Sequence, residues 1–120
     1  MTDSLADRGA AVRREVLGPR AEQPPTPFAE PFREWVLTAA WGAVWDRPGL
    51  DRRTRSCVTL AVLAALRCED ELAMHVEAAL RNGVTREEIA EVLLHASVYA
   101  GAPAGNAAFA VASSVLDQLP

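Results

Sequence analysis

Residues 69–101 run EDELAMHVEAALRNGVTREEIAEVLLHASVYAG, and the reading of this stretch decides the fold. Glu69 to Arg81 spaces its apolar residues as a helix does, and Asn82-Gly83 stops it, because glycine enters the left-handed conformation without a Cβ penalty. Thr85-x-x-Glu88 then spells a capping box, in which hydroxyl and carboxylate satisfy two orphan N–H groups reciprocally. Val84 and Ile89 flank that box where a hydrophobic staple places them. The next helix is predicted to reach about Ala100. Gly101 and Pro103 separate it from another that ends near Leu116.

Working outward, Pro48 and Gly49 break the chain before a helix over residues 51–66, for which Asp51 is an N-cap. That helix is polar in its first turn and apolar afterwards. Phe32 to Val44 reads as an earlier helix, with Phe32, Val36, Ala39 and Ala40 along one side. Trp35, Trp41 and Trp45 are expected to be structural anchors. Pro24, Pro25, Pro27 and Pro31 mark an irregular connector, and residues 5–17 form a first helix closed by Gly18 and Pro19. No stretch alternates with period two for long enough to make a strand. The expectation is an all-α, orthogonal or bundle-like fold of about six helices. A chain of 120 residues suits a single domain, 1–120, with an N-terminal helix and connector over 1–31 and a helical core over 32–118.

Half of the residues are hydrophobic but only 6% are aromatic, so the core is built from Ala, Leu and Val. Such a core is thin per helix, and further apolar burial between the subunits of a homo-oligomer is expected. The net charge of -4 gives no support for a nucleic-acid surface or a polybasic membrane patch. All 12 basic residues are arginine, so no lysine Schiff base can form. Val92 to Ser114 carries no charge, but His95, Gly101, Pro103, Gly105 and Asn106 divide it into two ordinary helices. Met1 to Ala10 is charged and lacks the apolar core of a signal peptide, which points to the cytoplasm. Cys57 and Cys68 form neither a metal-ligand nor a redox motif.

Chemistry is sought on the helix that carries His75. At about 100° per residue, Cys68, Glu71, Leu72, His75 and Ala79 share one side. A histidine between Leu72 and Ala79 is either a satisfied core residue or a buried acid/base. Glu71 one turn earlier favours the second, since a carboxylate can fix the tautomer and raise the proton affinity of an imidazole. His95 stands between Glu91 and Tyr99 and is a candidate for contact with substrate. No HExxH or other closely spaced His/Cys set is present, so no metal is expected. Arg53 shares a side with Cys57, Leu60 and Ala64, and an arginine at the mouth of an apolar cavity can clamp a carboxylate. A solvated first helical turn is the plainer role for the same residue.

Four pieces carry a resemblance: VRREVLG, AAWGAVW, RPGLDRRTRSCVTLAVLAAL and ELAMHVEAALRNGVTREEIAEVLLHASVYAGAPAGNAAFA. Together they resemble the carboxymuconolactone decarboxylase family over roughly residues 8–116. The resemblance implies an alkylhydroperoxidase-like helical fold and a homo-oligomer, trimeric or hexameric. It also implies cofactor-free decarboxylation of 4-carboxymuconolactone to 3-oxoadipate enol-lactone in protocatechuate breakdown. His75 and Glu71 are then the expected catalytic pair, and Arg53 and His95 the expected substrate contacts. Redox members of the wider group resemble this helix through a Cys-x-x-Cys pair followed by a histidine. Cys68 and His75 match the first and last of those positions, but Glu71 replaces the second cysteine and argues against thiol peroxidase chemistry. The family's His-Val-Asp-Arg-like run after Val-Leu-Gly is missing from the shorter Pro19–Pro25 segment. That departure leaves open a repurposed member that binds or converts another small lactone or polyketide-like acid.

Overall fold

A computed structural model describes residues 3–19, 22, 24 and 26–120. Part of the Pro19–Pro25 departure, Pro25 included, lies outside the described residues. The described chain is helical and contains no strand. Six α-helices, with a π-helical run after the second, divide into two units, residues 1–51 and 52–120.

In the first unit, α1 (Leu5–Leu17) starts on a capping box. Ser4 Oγ accepts from the Asp7 N–H at 3.0 Å, and Asp7 Oδ2 accepts from the Ser4 N–H at 3.3 Å. Gly18 ends the helix at φ 85°, and its N–H donates to the Arg14 carbonyl. Helix α2 (Glu30–Val36) runs directly into the π-helix Leu37–Trp45. Helix α1 crosses that π-helix backbone to backbone. A Cβ on Gly9 would stand 1.9 Å from the Leu37 carbonyl oxygen, and one on Gly42 would stand 2.5 Å from that of Leu5. Arg8 and Asp46 pair across the same crossing, and that contact holds the Arg8 guanidinium above its ordinary pKa. Burial, and then the positive charge of Arg33, pushes the Arg13 guanidinium down.

The side of the second helix that carries Phe32, Val36, Ala39 and Ala40 is not the one most deeply buried. Phe32 is 65% exposed and Trp35 is 64% exposed, whereas Leu37, Trp41 and Gly42 are buried. A π-helix closes its hydrogen bonds at i→i+5, so the 3.6-residue projection loses phase along it. The close approach at Gly42 brings in a different side. Trp41 and Trp45 stack with centroids 5.1 Å apart and do serve as anchors; Trp35 does not.

The second unit holds α3 (Arg52–Ala65), α4 (Glu69–Arg81), α5 (Arg86–Ala100) and α6 (Ala102–Asp117). Leu60, Ala64, Leu72, Val76, Ala79, Ile89, Leu93 and Ala108 lie at its core. Helix α3 ends in a Schellman turn: Cys68 N–H donates to Leu63 O at 3.0 Å and Arg67 N–H to Ala64 O at 3.3 Å. The left-handed position is filled by Arg67 at φ 62° instead of glycine. Helix α4 closes on the same turn with Gly83 at φ 96°, and Val84 N–H reaches Ala79 O at 2.9 Å. The Thr85–Glu88 capping box forms as the sequence predicts. Helices α5 and α6 meet where a Cβ on Gly105 would stand 2.2 Å from Ser97 Oγ. Arg86 at the start of α5 donates to the carbonyls of Leu116 and Pro120 beyond it. No helix among the described residues is long and apolar enough to cross a membrane.

Candidate active site

Helix α4 turns a stripe of Leu72, His75, Val76, Ala78 and Ala79 inward. His75 is 7% exposed, one of two buried polar residues in the chain's described part, the other being Ser56. It interacts with other groups of the chain, yet its Nδ1 atom is buried and makes no hydrogen bond among the described residues. Glu71 begins the same stripe but is exposed, because it stands in the first turn of α4 beyond the core. The carboxylate and the imidazole therefore share a helix side without sharing an environment. Three acidic residues, Glu69, Asp70 and Glu71, sit in that first turn, where the helix dipole favours negative charge.

Arg53 also lies on the buried side of its helix and is likewise exposed, on the first turn of α3. Its Nη2 donates to Oε2 of Glu88, 35 residues away at the start of α5. His95 is exposed on α5 with its ring 5.5 Å from that of Tyr99. His75, Arg53 and His95 thus stand on three successive elements of the second unit, on α4, α3 and α5. No group of His, Cys, Asp and Glu among the described residues has a geometry that would hold a metal ion. A shallow surface depression with no room for an enclosed water molecule lies between α3, α4 and α6, lined by Leu63, Leu72, Ala104 and Ala108 together with Arg67 and Glu69. His75 is not among its lining residues.

Two contacts escape sequence reasoning. Ser56, fully buried on α3, accepts from Asn82 Nδ2 at 3.1 Å and so ties α3 to the end of α4. The second is the Arg53–Glu88 pair. Its glutamate is visible in the sequence only as a capping residue, and no local spacing announces a partner so distant.

The model of one family, described as the carboxymuconolactone decarboxylase family, matches residues 30–114 and so spans both units. The chain belongs to the carboxymuconolactone decarboxylase family. It is 49% identical to a 4-carboxymuconolactone decarboxylase of Acinetobacter baylyi over 93% of this chain and 87% of that protein. A nitrosuccinic acid decarboxylase of Metarhizium robertsii is 41% identical over 96% of this chain and 83% of that protein. An uncharacterized 15.0 kDa protein of Paracoccus denitrificans is 35% identical over 67% of this chain and 61% of that protein. The family match begins at Glu30, so α1 lies before the matched span, while α4 with His75 lies wholly inside it.

Proposed function

We propose that this family member decarboxylates 4-carboxymuconolactone to 3-oxoadipate enol-lactone without a cofactor, in the cytoplasm, as a trimer or hexamer. The observation that carries the reading is the 49% identity, spread over nearly the whole chain, to a protein named for that reaction. The chemistry suits a site with few polar groups. When the carbon–carboxylate bond breaks, its electron pair passes through the ring alkene to the lactone carbonyl and leaves an oxyfuran-like dienolate. A proton delivered to the carbon next to that carbonyl gives the enol-lactone. The substrate is its own electron sink, so the protein supplies orientation, oxyanion stabilisation and the proton.

His75 is assigned as the proton donor. Its burial among Leu72, Val76 and Ala79 supports this, since an apolar wall strengthens any charge interaction that the imidazole makes during the reaction. Glu71, exposed one turn earlier on α4, is placed as the group that orients it once substrate or a second subunit covers the start of that helix. Arg53 takes the carboxylate on the substrate's acetate arm, which the reaction does not remove. No chemical step is assigned to His95, which is placed as a substrate contact at the exposed edge of α5. The exposed apolar residues Val58, Val62, Leu94, Val98 and Tyr99 support assembly, because a monomer would leave them in water.

Supplying the lactone and following its loss together with carbon dioxide tests the reaction. General acid catalysis contributes on the order of 10²–10⁴-fold, so His75→Ala is expected to lose about that much in kcat while keeping its helical content. Parental turnover in a folded His75→Ala protein would remove the histidine from the mechanism.

A second reading is favoured by the nitrosuccinic acid decarboxylase relative. Nitrosuccinic acid is a diacid with a nitro group, and that group can hold the electron pair that departing carbon dioxide leaves behind. Both relatives' substrates therefore carry two carboxylates and a built-in electron sink. Turnover of nitrosuccinate in preference to the lactone would select this reading.

A further inference from the structure

Glu88 has a partner on each carboxylate oxygen. Oε1 accepts from the Thr85 N–H at 3.0 Å and closes the capping box, while Oε2 accepts from Nη2 of Arg53. The Glu88 N–H in turn donates to Thr85 Oγ1 at 3.1 Å, so main chain and side chain are both tied at the start of α5. A carboxylate held in this way does not follow a swinging arginine; it sets where the guanidinium rests. The Arg53 side chain passes beside the turn that ends α4, where an ideal Cβ on Gly83 would stand in ordinary contact with Cδ of Arg53 at 4.0 Å. One contact through Nη2 occupies one of five guanidinium donors and leaves a two-donor edge for a second carboxylate.

We infer that Glu88 is a positioning residue for substrate recognition, holding the Arg53 guanidinium ready for the carboxylate that the substrate keeps. This rests on the assignment of Arg53 to that carboxylate. A carboxylate that takes no part in bond breaking serves to orient the reacting carbon, and it orients well only against a cation that is itself fixed. An exposed arginine explores many rotamers, and ordering one such side chain before binding improves affinity by about two- to tenfold. Glu88 supplies that order through a residue whose own geometry the capping box has already set.

The test compares wild type, Arg53→Gln, Glu88→Gln and Thr85→Ala. It reads kcat and KM with 4-carboxymuconolactone, calorimetric Kd for succinate as an inert dicarboxylate, and Tm. Glu88→Gln keeps a carbonyl oxygen for the Thr85 N–H but turns an amide N–H toward Arg53, so the cap survives and the ion pair does not. Thr85→Ala loses the hydroxyl half of the box and leaves the pair. Glu88→Gln is expected to raise KM and the succinate Kd about fivefold with kcat held within about twofold. Thr85→Ala is expected to lower Tm and to raise KM and Kd by less than Glu88→Gln does, because the Thr85 N–H still holds the Glu88 carboxylate. Unchanged or tighter succinate binding by Glu88→Gln overturns the inference, as does an equal rise in KM in Thr85→Ala. If Arg53→Gln weakens binding and Glu88→Gln does not, the positioning role falls and the carboxylate role of Arg53 stands. If Arg53→Gln changes nothing, or wild type binds neither compound, both roles fall, and the decarboxylase reading is then judged on wild-type turnover alone.

Discussion

Arg67 is the one described residue other than glycine that has a positive φ, at 62°, and it fills the turn between α3 and α4. The left-handed conformation costs an L-residue about 1–2 kcal/mol. Glycine avoids that cost but loses about 0.5–1 kcal/mol through the greater freedom of its unfolded chain. The exposed contact from Arg67 to Glu69 at 3.4 Å contributes little against this. Arg67→Gly is therefore expected to stabilise the protein by about 0.5 kcal/mol, read as a higher denaturant midpoint at unchanged slope. The opposite sign is expected at Asn82. Removing its amide leaves the buried Ser56 hydroxyl without that donor, and Asn82→Ala should cost about 1–2 kcal/mol in the same measurement. Neither Arg67 nor Ser56 is conspicuous in the sequence. Arg67 looks like a solvated linker residue, and Ser56 looks like an ordinary polar position in the first turns of α3.

Among the elements, those with local signals were legible and those set by distant contacts were not. The C-terminal end of α4 and the start of α5 follow from Asn82-Gly83 and Thr85-x-x-Glu88, because a cap is an interaction within four residues. The π-helix has no such signature. Carrying the 3.6-residue projection on from Phe32 and Val36 through Leu37–Trp45 marked the side of Ala39 and Ala40 and missed Leu37 and Gly42. The close approaches at Gly9, Gly42 and Gly105 were equally hidden, since a glycine shows its necessity only when the other helix is in place. Gly105→Ala should press on Ser97 and cost about 1–3 kcal/mol in thermal or chemical unfolding, with the other helices unaffected. Gly9→Ala faces main chain instead of a movable side chain, so its loss should be at the upper end of that range. Of the candidate site, the inward turn of His75 was legible from its apolar neighbours. The exposure of Arg53 was legible as one of two readings, from the polar first turn of α3; that of Glu71 was not, because a helical projection does not record that a first turn stands beyond the core.

For the whole molecule, the family match fixes what the composition could only bound. Half of the residues are hydrophobic, and several of the larger ones remain in water on α3 and α5. Sedimentation is expected to give three or six times the chain mass of 12.9 kDa, and a species at the chain mass at micromolar concentration would remove the proposed assembly. Leu60, fully buried in the second unit, is the residue on which to gauge how firmly that unit holds together. Leu60→Ala should cost about 2–5 kcal/mol, read as a lower denaturant midpoint, because the Leu72, Ile89 and Leu93 side chains of the same core would line the cavity it leaves.

The indole rings are placed so that they give the protein a private optical label. Trp35, Trp41 and Trp45 all lie within the first unit, two of them stacked, and the second unit has none. Ultraviolet emission therefore watches one half of the chain, while peptide ellipticity is weighted toward the four helices of the other. Melting curves recorded both ways on an unlabelled sample will separate if the halves come apart in sequence, and will superimpose if they are lost together.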